Sequence, residues 1–128
     1  MPIFGPTVPG MLLFRLSGAN LQLTTDQTFT RLFTGTNYMP TNIIARQRSG
    51  AASIACMGGI YDGAAKSGNI IALAATNWVA LAAAVPVVVP LANLLQTAIL
   101  SATPILSLTT GSTAACTADI FIFGVDIS

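Results

Sequence analysis

Charge is what this sequence has least of. Five basic and four acidic residues are all that 128 positions carry, where a globular domain is about a quarter charged. Arg15, Arg31, Arg46, Arg48 and Lys66 stand against Asp26, Asp62, Asp119 and Asp126, for a net charge of +1. Phosphate binding relies on a basic stripe, so nucleic acid is not an expected partner. Solubility normally leans on surface charge. A chain with so little is expected to turn much of its surface toward something other than water.

Histidine and glutamate are absent altogether. That excludes histidine-based triads and dyads. A Ser–Lys pair would have to use Lys66, the only lysine. Its setting, "GAAKSG", lacks the glycines that a phosphate loop places immediately before the lysine and five residues earlier, because Ala65 and Ile60 stand there. It reads as a glycine-rich turn with a solvated lysine. The aspartates are scattered and show no calcium-loop spacing. No enzyme, metal, cofactor or small-molecule substrate is expected.

Cysteine is scarce too. Cys56 and Cys116 match no zinc or redox spacing. They fit either two small buried thiols or one disulfide, and the absence of a secretory signature favours the thiols. The N-terminal "MPIFGPTVPG" has no basic first segment, and Pro2, Pro6 and Pro9 interrupt it before any useful apolar stretch. Residues 1–10 are therefore expected to form an extended arm, a tether or a reach toward a neighbouring subunit, ahead of a single domain over 11–128.

What the chain does have is apolar length. From Ser67 to Ala118, 52 consecutive residues carry no charge. Residues 67–85 could reach the length of a membrane helix, about 20 residues. Against that, Asn77 and Trp78 fall near the middle and basic flanks are nearly absent. From Trp78 to Leu91, large side chains alternate with small ones or proline at a period of two, which is a strand's period. Pro86 and Pro90 then remove donors from one edge only, which marks 85–91 as an edge strand. A helix over Ala72–Ala84 is the fallback.

Further strands are expected over 10–16, with Leu12, Phe14 and Leu16 on one face, and over 41–46, 53–57 and 104–110. A final strand, "ADIFIFGVDIS", carries Phe121 and Phe123 opposite Ile120 and Ile122. Being apolar on both faces, it is either central to a sandwich or covered by another subunit. "TTDQTFTRLFTG" is expected to form one short helix, capped by Thr24 or Thr25 and stopped by Gly35. Short strands with Gly, Ser, Thr and Pro turns give an all-β fold, a single-domain sandwich or jelly roll.

Candidate interface residues follow from these faces: Ile3, Phe4 and Val8 on the arm, Arg46 and Arg48 on one strand face, Val87 and Val89 at the edge, and Phe121 and Phe123. Trp78 with Asn77 could form a sugar platform, although a lone tryptophan is more often core.

The succession of "LQLTTDQTFTRLF", "GGIYDGAAKSGNIIALAA" and "ILSLTTGSTAACTADIFIFGVDIS" resembles the small jelly-roll structural proteins of tailed bacteriophages, over roughly residues 20–128. Members of that group look like capsid cement or decoration proteins. The resemblance implies a homotrimer on the outer surface of the head, assembled in the host cytoplasm, with the major capsid protein and its own copies as partners, no membrane, and no catalytic residues. Two other readings remain: a receptor- or glycan-binding module of a phage fibre or baseplate, and a small membrane protein such as a holin.

Overall fold

Alternation along the last strand sets the architecture. In Cys116–Asp126 (β9), Cys116, Ala118, Ile120 and Ile122 are buried, while Thr117, Asp119, Phe121 and Phe123 are only half-buried. The computed structural model describes residues 10–50, 55–78, 86–92 and 99–127. The other strands are Met11–Asn20 (β1), Gln27–Thr28 (β2), Thr30–Arg31 (β3), Tyr38–Gly50 (β4), Met57–Tyr61 (β5), Ile70–Ala72 (β6), Val87–Val89 (β7) and Ile105–Thr110 (β8). They form two antiparallel sheets, one ordered β3-β1-β9-β4-β7 and the other β2-β8-β5-β6. The fold is all-β, and β9 is the middle strand of the larger sheet.

The sheets share one core. Phe14, Ile43, Ala45, Ile120 and Ile122 from the larger sheet join Ile60, Ile71, Leu106 and Leu108 from the smaller. Trp78 fills the space beside β5, 1% exposed, with its indole N–H donating to the Gly58 carbonyl at 3.0 Å. At one end Phe14, Phe33 and Tyr38 pack edge to face. The Arg31 guanidinium lies over Phe14 and Phe33 and donates to the carbonyls of Gly35 and Ser101. The Tyr38 hydroxyl donates to the Ala102 carbonyl at 2.7 Å. Cys56 and Cys116 are buried and unbridged.

Several expectations need correction. No helix forms over 24–35; β2 and β3 lie there instead. Threonines at 24, 25, 28, 30 and 34 disfavour helix and suit strand. The Gln27 side chain completes the effect: it accepts from the Asn20 N–H at 2.8 Å and donates to the Asn20 carbonyl at 2.9 Å. The strand expected over 41–46 runs through the polar "QRSG" to Gly50, because β9 pairs along its whole length. Of the strand expected over 53–57, residues 53 and 54 lie outside the described residues, Ala55 is in the left-handed region, and only Met57 is in a strand, as the first residue of β5. Leu12 does not share a face with Phe14 and Leu16, because the β1–β9 register shifts between Leu12 and Phe14. A second irregularity, between Leu16 and Ala19, holds Gly18 at φ 65°, and β1 thereby extends past Leu16.

The edge strand expected over 85–91 stands in its middle, as Val87–Val89, with residue 85 outside the described residues. β7 pairs with β4 at the border of the larger sheet, with Pro86 and Pro90 just outside its ends. Residues 79–85, which carry most of the alternation and of the helical fallback, lie outside the described residues; Ala72, where that fallback begins, is in β6. Among the described residues no helix is long and apolar enough to cross a membrane. The arm's Ile3, Phe4 and Val8 also lie outside them.

Candidate functional site

The two sheets treat their outer surfaces differently: among the described residues nothing closes over the larger one. Its outer side chains follow from register. Arg15 stands opposite Phe121, Phe121 opposite Ile44, and Ile44 opposite Val88, so one row crosses β1, β9, β4 and β7. At about 4.8 Å between strands the row is about 14 Å wide. Beside it Leu12 stands opposite Phe123 and Phe123 opposite Asn42. Val88 is 70% exposed; Leu12, Ile44, Phe121 and Phe123 are half-buried.

Toward the other end of β9, Asp119 stands opposite Arg46. Its carboxylate accepts from the Gly18 amide at 2.9 Å, the donor that the β1 irregularity turns outward, and from Arg48 at 3.3 Å. Arg48 is 55% exposed and Asp119 13%. This pair is intramolecular, so of the two arginines expected to meet a partner, Arg48 is already engaged. Among the described residues this is the one ion pair, and Arg15 and Arg46 take no part in it.

The expected site residues thus divide. Arg46, Arg48, Phe121 and Phe123 come together on the open face. Val87 and Val89 do not join them: their side chains turn inward, and Val89 is in the core. The exposed member of that strand is Val88, which reading the edge by its large residues at odd positions passed over. Trp78 is core as well, with its N–H satisfied, so it offers no sugar platform. Arg15, Leu12 and Ile44 were not singled out. The period-two parity that marked Phe121 would have marked Ile44 and Arg15, but the irregularity at Leu13 hides Leu12 from any fixed period.

On the smaller sheet the chain itself covers the outer surface around Ser107. Residues 62–69 fold back, held by Asp62, which accepts from the Asn69 backbone N–H at 2.6 Å and from its side-chain amide at 2.9 Å. A 3-10 turn at Ala64–Lys66 follows, with Ala65 at φ 54° and Lys66 at φ 63°. Left-handed non-glycine residues cost on the order of 1 kcal/mol each. The turn lets the Ala65 N–H donate to Asp26 at 2.8 Å and Lys66 Nζ donate to Ser107 Oγ at 3.1 Å. Asp26 is held below the ordinary carboxylate range by the Ala65 N–H first and then by the Ser107 hydroxyl; burial opposes them, and the Lys66 charge adds the smallest effect, in their favour.

Lys66 therefore meets a serine, but in a brace. A lysine that activates a serine needs a desolvated pocket, and Lys66 is exposed while Ser107 is 1% exposed beneath it. Among the described residues no group of three or more metal-ligating side chains gathers. Comparison with protein-family models, with curated proteins and with solved structures finds no match to this chain.

Proposed function

We propose that this chain is a structural virion protein of the jelly-roll type, a cement or decoration protein that binds the outside of a bacteriophage head and holds neighbouring major capsid subunits together. The observation that carries the reading is the open face of the larger sheet: a surface four strands wide with an apolar centre, on a chain with very little charge. Exposed apolar patches of this kind mark interaction sites. The sequence resemblance supplies the kind of partner, and the same reading makes the protein a homotrimer without catalytic activity.

A cement protein works by adding buried area across joints that internal pressure would open. A standard interface buries about 800 Å² per partner. Three linked copies engaging three sites gain roughly 10²–10⁴ in avidity over one, so each contact can be weak. The glycan-binding alternative loses its aromatic platform, since Trp78 is core.

The test is direct. Heads of the virus that encodes this chain, stripped of it, are heated with and without the purified protein, and DNA release is followed. Raised release temperature on adding the protein supports the reading; unchanged release, with no protein sedimenting with the heads, sinks it.

A further inference from the structure

The open face is selective about what can cover it. Three of the five basic residues, Arg15, Arg46 and Arg48, lie on it or at its border, against the single carboxylate of Asp119. Of the remaining charges, Arg31 is committed to Phe14, Phe33 and two carbonyls, Lys66, Asp26 and Asp62 belong to the brace on the smaller sheet, and Asp126 stands opposite Tyr38 at the far end of β9. The chain's net charge is only +1, yet around the middle of this face, away from Asp126 at the end of β9, three positive charges stand against one negative.

Resting on the proposed function, we infer that the outer face of the larger sheet docks face-on against a protein surface whose centre is aliphatic and whose rim carries carboxylates, placed to meet Arg15 and Arg46. Leu12, Ile44, Val88, Phe121 and Phe123 supply the centre. Half-buried phenylalanines and an exposed valine lose water on docking, at roughly 25 cal/mol for each Å² covered. The two arginines, free of the Asp119 pair, supply the rim, where complementary charge steers encounter and fixes orientation.

Three arguments count against other occupants. A second copy across a two-fold axis would bring this face against itself, setting like charge against like. A single nucleic-acid strand would take the two phenylalanines for stacking, but the rest of the centre is aliphatic and only two arginines remain for phosphate. A strand added at the edge is blocked at β7 by Pro86 and Pro90, which lack donors. At the opposite edge β3 offers two residues. Face-on docking is what remains.

The experiment measures sedimentation of purified protein with the stripped heads, comparing wild type with Val88→Asp, with Arg15→Glu/Arg46→Glu, and with Leu73→Asp as a control just past β6, where Leu73 is 55% exposed. Circular dichroism and melting confirm that each variant folds. Expected are a loss of tenfold or more for Val88→Asp and for the double arginine variant, no change for Leu73→Asp, and wild-type binding that weakens as salt rises. Wild-type binding with both face variants unaffected would overturn this surface and leave the capsid reading standing. Wild-type protein that ignores the heads overturns both. Native mass identifies a rival occupant: an oligomer that Val88→Asp dissociates would assign the face to a second copy and overturn the inference.

Discussion

The outer surfaces of the two sheets are built from the same short vocabulary and come out opposite. On the smaller sheet, Ser107 points outward and is nonetheless buried, because the chain folds 62–69 back over it and spends two left-handed residues to bring Lys66 and Ala65 into place. On the larger sheet, Phe121 and Phe123 point outward and the described chain does not close over them. Polar closure on one side and apolar openness on the other reverse what solvent alone would select.

That contrast can be tested within one strand. Ile122 and Phe121 are neighbours on β9, one in the core and one on the open face. Ile122→Ala should cost about 2–5 kcal/mol through lost burial and a cavity, whereas Phe121→Ala should cost about 1 kcal/mol or less in the isolated protein. Urea denaturation of the two variants measures the gap. Equal costs would mean that Phe121 is packed as tightly as Ile122 and that the face is not open.

Tyr38 and Asp26 make the next pair, one polar group buried at the end of the core and one exposed on the closed surface. Burial first, and the Asp62 charge second, push the Tyr38 phenol well above its ordinary range, against a smaller opposing pull from Arg31. Its folded pKa exceeds the unfolded one, so its contribution is complete below about pH 10 and is lost as pH rises beyond that. Tyr38→Phe should cost about 1 kcal/mol at neutral pH through the lost bond to Ala102. It should also remove part of the alkaline decline, read as melting temperature against pH. A decline as steep in the variant as in wild type would show that the phenol is not the group responsible.

For Asp26 the sign is opposite. Its folded pKa lies below the unfolded value, so its contribution is present above the ordinary carboxylate range and lost as pH falls through the folded pKa. Because the carboxylate is exposed, Asp26→Asn should cost about 0.5 kcal/mol or less, with the wild-type advantage vanishing in acid. A difference that persisted at low pH would mean that the brace acts through packing rather than through the charge.

How much of this was legible in the sequence depends on how local each determinant is. β9 and β8 were plain, because alternation between Ile120, Ile122 and their outward neighbours, or between Leu106, Leu108 and Ser107, is written residue by residue. The edge position of β7 was legible because proline at 86 and 90 states a missing donor. The false helix over 24–35 came from capping signals that are real in isolation. What overrode them is non-local: Phe29 donates to the Pro104 carbonyl and Leu32 to the Leu13 carbonyl, and neither partner is visible in that segment. The meeting of Lys66 with Ser107 spans 41 residues and turns on two left-handed residues that alanine and lysine do not advertise. Of the outer face of the larger sheet, the phenylalanines and Arg46 were legible by parity. Val88 was not, since three valines in a row carry no alternation and only the register with Ile43, Ile44 and Ala45 decides which of them turns outward.

Val88 gives the smallest expected effect and the sharpest break in the comparison. A 70% exposed valine at a sheet border has little burial to lose, and threonine keeps its shape and its β-branching. Val88→Thr should therefore change the stability of the isolated protein by no more than about 0.5 kcal/mol. On stripped heads the same change places a hydroxyl where the partner's aliphatic centre would sit. There it must be desolvated without a bonding partner, at a cost of about 1–3 kcal/mol, and affinity should fall by roughly 5- to 150-fold. The two readouts part only if Val88 is open in the free protein and covered in the complex. Should Val88→Thr instead destabilise the free protein by as much as it weakens binding, Val88 is already covered by the chain itself, and the larger sheet is closed after all, like its neighbour.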